Sequence, residues 1–143
     1  MSARNTEVVA GGCLCGGIRY RVTAPVAEVA HCHCRMCRRA VGAVVVTWFT
    51  VPLDAFEVTL GRLKTWRSSA KGERGFCPDC GTQITFHHAD YPDDLDVTLA
   101  SLDRPEDHPA EAHIWTGSRL PWLHLDEDLP QSPNMELPSD KNS

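Results

Sequence analysis

Residues 76–84 read FCPDCGTQI. Cys77 and Cys80, separated by two residues and followed by Gly81, have the form of a zinc knuckle. At this spacing both sulfurs can turn toward one ion, and the glycine permits the tight backbone path that brings amide N–H groups up to them. A knuckle supplies two ligands, whereas a closed structural zinc site takes four. The missing pair must come from far up the chain, so the fold has to gather distant segments around residues 76–84. Two sources compete. In GGCLCGG (11–17), Cys13 and Cys15 occupy alternate positions, which a regular strand places on one face. In HCHCRMCRRAVGA (31–43), Cys34 and Cys37 would make a second knuckle and hence an ordinary zinc ribbon. Spacing alone does not choose. Pairing Cys13 and Cys15 with the knuckle is the more economical division, because it leaves Cys32, Cys34 and Cys37 together as a local set of three.

The totals bound the problem. The chain has 143 residues, 42% hydrophobic and 23% charged, which suits one soluble domain with a real core. The net charge of −5 argues against a general nucleic-acid binder, so no nucleic-acid partner is expected. Residues 1–12, MSARNTEVVAGG, hold no apolar signal region, and no stretch reaches transmembrane length. A cytoplasmic location with no membrane partner is the expectation. An odd count of seven cysteines in a reducing compartment points to metal rather than disulfides.

Strand signals dominate. Residues 17–22, 56–60, 82–86 and 95–102 alternate apolar with polar side chains, and 43–49, AVVVTWF, is a continuous β-branched run that predicts a buried strand. Gly61-Arg62 fits a two-residue hairpin loop joining 56–60 to 63–68. Residues 112–117 are a plausible last strand, and 34–40 the one short helical turn. The pattern predicts an all-β domain over residues 1–130. A proline-rich, polar tail over 131–143 is expected to be disordered.

GGCLCGGIRY (11–20), HCHCRMCRRAVGA (31–43), GFCPDCGTQI (75–84), LASLDRP (99–105) and HIWTGSRLPW (113–122) occur in an order that resembles the glutathione-dependent formaldehyde-activating enzymes. That family also contains the zinc domain of centromere protein V. The resemblance covers about residues 11–130. It implies a β-tent of antiparallel sheets organised around two zinc ions per chain. Cys13, Cys15, Cys77 and Cys80 would form the structural site, and Cys32, Cys34 and Cys37 the catalytic one. It further implies a carbon–sulfur lyase that adds glutathione to formaldehyde to give S-hydroxymethylglutathione.

Three protein ligands and an open position suit such chemistry. A thiol bound to zinc is deprotonated, and the thiolate is the nucleophile. Arg35, Arg38 and Arg39, interleaved with the ligands, are candidates to balance the negative charge and to meet the carboxylates of glutathione. A histidine could instead close the second site, with His31, His33, His87, His88, His113 and His124 available. Trp48, Trp66, Trp115 and Trp122 are core or pocket candidates. Asp103 and the run Asp126-Glu127-Asp128 are the carboxylates considered for proton transfer, and the sequence names no general acid or base. Two alternatives stand beside the leading reading. One is the same zinc chemistry on another small-molecule thiol or aldehyde. The other is a non-catalytic, zinc-stabilised binding module.

Overall fold

The computed structural model of the chain describes residues 8–135. Ten strands form two sheets. The smaller contains β1 (Val9–Gly12), β2 (Arg19–Val22) and β5 (Phe56–Leu60), in the order β1-β2-β5. The larger contains β3 (Ala27–Cys32), β4 (Val46–Pro52), β6 (Lys64–Arg67), β7 (Gly72–Phe76), β8 (Gln83–His88), β9 (Asp94–Thr98) and β10 (Ala112–Ile114). Its order is β10-β3-β4-β9-β8-β7-β6, antiparallel throughout except for the parallel β10–β3 pair. One α-helix, α1 (Arg35–Val41), leaves the end of β3. The fold is mostly β, as expected. Among the described residues no helix is long and apolar enough to cross a membrane.

The period-two alternation of strands divides the large sheet into two faces. Phe49 and Val51 of β4 join Ile84, Leu95 and Val97 on the face covered by the small sheet, where Ile18, Tyr20 and Val22 meet them. Each fully buried side chain of this size contributes about 1.5–3 kcal/mol. Tyr20 keeps its hydroxyl satisfied at 2.6 Å from Ser101 Oγ. Val46 and Trp48, on the opposite face of β4, pack instead with Cys32 and Cys37. One apolar run therefore serves both the main core and the three-cysteine cluster.

Three local expectations change. The strand expected at 43–49 begins three residues later, at Val46, because 42–45 complete the turn that leaves α1. The hairpin expected at Gly61-Arg62 does not form. β5 pairs with β2 and β6 with β7, so these residues carry the chain from one sheet to the other. Gly61 still needs its φ of +81°, and a Cβ there would collide with the Gly17 carbonyl. A left-handed glycine suits a hairpin or a crossing equally well, and only the partner strands decide between them. The expected tail divides too. Within 131–135, Ser132 is fully buried and its N–H donates to His113 O at 2.9 Å, while Trp115 N–H donates to Asn134 O at 3.0 Å. Residues 136–143 lie outside the described residues.

Asp96 on β9 accepts a hydrogen bond from Thr50 Oγ1 at 2.6 Å. Burial, reinforced by Glu28 and Asp94, lifts its carboxyl from the ordinary 3.8 to about 6. The folded protein thus holds this proton more tightly than the unfolded chain does. The stabilisation is complete below pH 3.8 and is lost as pH rises through about 6. Asp96→Asn, which keeps an acceptor for Thr50, is expected to stabilise the protein at pH 8 by up to about 3 kcal/mol. At pH 4 it should change little. Denaturant midpoints at the two pH values check this.

Candidate metal centres

The first cluster joins two loops. Cys13 and Cys15 lie between β1 and β2, and Cys77 and Cys80 between β7 and β8. Their four sulfurs all lie within 4.8 Å of one another, with Cys13–Cys15 at 3.6 Å and Cys15–Cys77 at 3.8 Å. Backbone N–H groups converge on them. Ile18 N–H donates to Cys13 Sγ at 3.2 Å, Gly17 to Cys15 at 3.4 Å, and Asp79 and Cys80 both to Cys77 at 3.4 Å. Gly81, at φ +80°, makes the knuckle turn possible and donates to Cys77 O at 2.9 Å. Thr82 ties the halves together: its hydroxyl accepts from Leu14 N–H at 3.1 Å and lies 3.2 Å from Cys80 Sγ. Thr82, through hydroxyl and backbone, holds Cys80 down at about 5. Cys15, despite the Gly17 N–H, is pushed up to about 12 by the sulfurs of Cys13, Cys80 and Cys77.

The second cluster is local. Cys32 ends β3, Cys34 caps α1, and Cys37 lies in its first turn. Cys34 Sγ accepts the Cys37 N–H at 3.2 Å, which satisfies one of the amides a helix start leaves free. The expected helical turn is thus present, with a cysteine as its cap. Cys32 Sγ donates to Cys37 Sγ at 3.7 Å, and the three sulfurs also fall within 4.8 Å of one another. Hydrogen bonds from Cys32 and then Cys37 bring Cys34 down to about 2. The sulfurs of Cys34 and Cys37, with burial, push Cys32 far above the usual thiol range.

Both clusters fit zinc by their donor chemistry. Ligand sulfurs about 2.3 Å from a tetrahedral zinc stand about 3.8 Å apart, close to the spacings here. Thiols this crowded cannot all ionise unless a cation compensates them, and the opposed displacements of neighbouring sulfurs express that.

Arg74 on β7 is the cation at the second cluster. It is 4% exposed and donates from Nη1 and Nη2 to Cys37 Sγ at 3.8 and 3.7 Å. Its Nε donates to Ser68 Oγ at 3.0 Å, and its guanidinium lies 4.8 Å above the Phe86 ring. Arg35 is exposed, Arg38 half-buried and Arg39 exposed, and none forms an ion pair among the described residues. Arg39 lines a cavity of about 590 Å³ that has Arg74 and Ser68 in its wall. Arg74 escaped sequence reasoning because GERG reads as a charged turn. Its signal is its position opposite Phe86, visible only once β7 and β8 are paired.

Among the described residues no histidine joins either cluster. His33 projects away from its cysteine neighbours to pair with His113, Nε2 to Nδ1, at 2.8 Å. The Asp126 carbonyl can only accept, and it lies 2.9 Å from His113 Nε2. In the neutral pair His113 therefore carries its proton on Nε2 and accepts at Nδ1, and His33 donates from Nε2. This leaves buried His33 Nδ1 without a partner. Burial, with repulsion from His113, lowers His33 to about 4, which keeps it neutral. His31 bridges Thr47 and the Asp126 carboxylate, each at 2.8 Å. His87, His88 and His124 are engaged elsewhere, with Pro92 O, Asp90 N–H and Glu127.

The remaining candidates separate. Asp103 makes a bidentate ion pair with Arg19, with contacts of 2.9 and 2.6 Å. Trp48 packs against the second cluster, Trp66 lines the cavity, and Trp115 and Trp122 are exposed.

Known proteins resemble this chain in sequence and in fold. A Schizosaccharomyces pombe (strain 972) protein named an uncharacterized lyase is 30% identical over 83 residues, covering 53% of this chain and 55% of that protein. The chain therefore spans about half the length of that relative. A Halomonas elongata protein, provisionally named a glutathione-dependent formaldehyde-activating enzyme, is 22% identical over 81% of this chain and 80% of its own. A Rhodobacter sphaeroides crystal structure superposes with a TM-score of 0.56 at 20% identity, over 85% of this chain and 98% of that one, and shares the fold. The family model for glutathione-dependent formaldehyde-activating enzymes matches residues 8–118, a span that holds both cysteine clusters, and the chain belongs to that family.

Proposed function

We propose that the protein joins a small thiol to a small aldehyde, in the manner of glutathione and formaldehyde giving S-hydroxymethylglutathione. In this reading Cys13, Cys15, Cys77 and Cys80 hold a structural zinc, and Cys32, Cys34 and Cys37 hold a second. The observation that carries it is the contrast between the clusters: four sulfurs in one, and in the other three sulfurs, no further side-chain ligand among the described residues, and a buried arginine. The names of the relatives, one a lyase and one formaldehyde-activating, support the same class. Seven thiols that must stay reduced favour the cytoplasm.

When bound, zinc at the three-sulfur site supplies the charge that ionises a substrate thiol at its open position. The chain's own residues do the rest. Arg74 offsets the negative charge of the clustered thiolates, and its two N–H donors hold Cys37 in place. Arg39, Arg38 and Arg35 have no carboxylate partner among the described residues and are the candidates to receive those of the substrate. Ser68 Oγ gives a lone pair to Arg74 Nε, which leaves its own hydrogen for a carbonyl oxygen in the cavity. In the net reaction a sulfur–carbon bond forms, the carbonyl π bond breaks, and the thiol proton ends on the oxygen.

Exchange NMR of glutathione with formaldehyde, with the uncatalysed rate subtracted, tests this. Zinc-loaded protein should accelerate exchange in proportion to second-site metal. Arg74→Leu is expected to lower the acceleration about 10–100-fold, as losses beside metal ligands do. A rate equal to buffer with thiols and aldehydes of every size would contradict the proposal.

A further inference from the structure

We infer that the cavity between α1 and the β6–β7 edge selects a thiol with an apolar body and a single carboxylate, and that Trp66 sets this preference. The inference rests on the thiol–aldehyde reading above and narrows its substrate class.

Trp66 on β6 stands directly opposite Arg74 on β7, which stands directly opposite Phe86 on β8. Directly opposed residues share a face of the sheet. The three therefore form one row across the strands, on the side that carries Cys37. The Arg74 guanidinium is covered by Phe86 on the inner side. At the outer end of the row Trp66 is 64% exposed and stacks on no ring among the described residues. Met36, 48% exposed, comes from α1 to the same cavity. An indole and a thioether together make a wall suited to an aromatic or branched group.

The polar groups narrow the choice further. No residue lining the cavity is acidic. Two are cationic, but Arg74 is 4% exposed and commits three of its five N–H donors to Cys37 and Ser68, whereas Arg39 is exposed and has no carboxylate partner among the described residues, so Arg39 is the cation placed to take a carboxylate. A γ-glutamyl peptide brings an ammonium group and two carboxylates. Its ammonium would meet no counter-charge here and would lie near two guanidiniums. A thiol with one carboxylate and an apolar body leaves no charge unmatched. Its carboxylate would meet Arg39 and its body would cover Trp66. Its sulfur would then lie on the side of Arg74, whose guanidinium reaches Cys37 Sγ at 3.7 Å.

Calorimetric titration of the zinc-loaded full-length chain with 2-benzyl-3-sulfanylpropanoate and with glutathione tests this. The benzyl thiol is expected to bind at least about tenfold more tightly. Trp66→Ala should abolish that preference by weakening the benzyl thiol about tenfold while changing glutathione by less than about twofold. Trp66→Phe should restore most of it. Metal content and unfolding midpoint should not move, since the side chain is exposed. Glutathione binding as tightly as the benzyl thiol, or a preference that survives Trp66→Ala, would overturn the inference. Failure of the two ideas is distinguishable. The predicted preference without any accelerated exchange defeats the reaction and leaves the selectivity standing. Accelerated exchange of glutathione, with no benzyl preference, defeats the selectivity alone.

Discussion

Cys77→Ser is expected to leave the chain unfolded and without metal at its first site. Cys77 is 1% exposed, packs in the main core with Ile18, Ile84 and Val97, and accepts two backbone N–H groups. Its cluster is also the clasp between the two sheets. Cys13 and Cys15 belong to the loop of the small sheet, and Cys77 and Cys80 to a loop of the large one. A structural zinc of this kind contributes about 10–16 kcal/mol on binding. The net stability of a domain is about 5–15 kcal/mol. Losing most of the first quantity exceeds what a chain this size holds in reserve. Far-UV circular dichroism and zinc analysis of the purified variant read the outcome. A folded variant that retains full metal would contradict the structural assignment.

Cys37→Ser is expected to do the opposite: keep the fold and lose the second metal and the reaction. Cys37 is buried, but in a helix of seven residues and in the smaller apolar cluster rather than the main core. Serine is close in shape but its shorter side chain gives up the 3.7 Å contact with Arg74, so the cost to stability is about 1–3 kcal/mol. With two thiolates left, the site loses a ligand it cannot replace, since no other donor stands within reach among the described residues. Accelerated thiol–aldehyde exchange should fall at least about a hundredfold, to the uncatalysed background. A variant that retained both its metal and its exchange rate would place the chemistry elsewhere.

The two clusters differ in how far sequence could reveal them. Cys32, Cys34 and Cys37 lie within six residues, and their grouping follows from local spacing with a helix cap between. The pairing of Cys13 and Cys15 with Cys77 and Cys80 spans more than sixty residues, and spacing left it open against a ribbon. In the fold the two loops lie together where the small sheet meets the large one, which brings the four sulfurs within 4.8 Å of one another. Arg74 was hidden for a different reason. An arginine between glycines reads as solvated, and only the register of β7 against β8 sets it over Phe86 and under Cys37. The His33–His113 pair likewise depends on the parallel β10–β3 contact, which no local pattern predicts. Gly61 shows the limit most plainly: a turn at this glycine is legible in the sequence, but its use is not, because a turn does not name its partners.

Native mass spectrometry of freshly purified, reduced protein counts the zinc ions each chain holds. Two zinc ions are expected on the wild-type chain and one on a folded Cys37→Ser chain, the first bound in a closed four-sulfur site and the second in an open three-sulfur site. A single zinc on the wild-type chain that added metal could not raise would contradict it, and would leave the chain a zinc-stabilised domain without a catalytic centre.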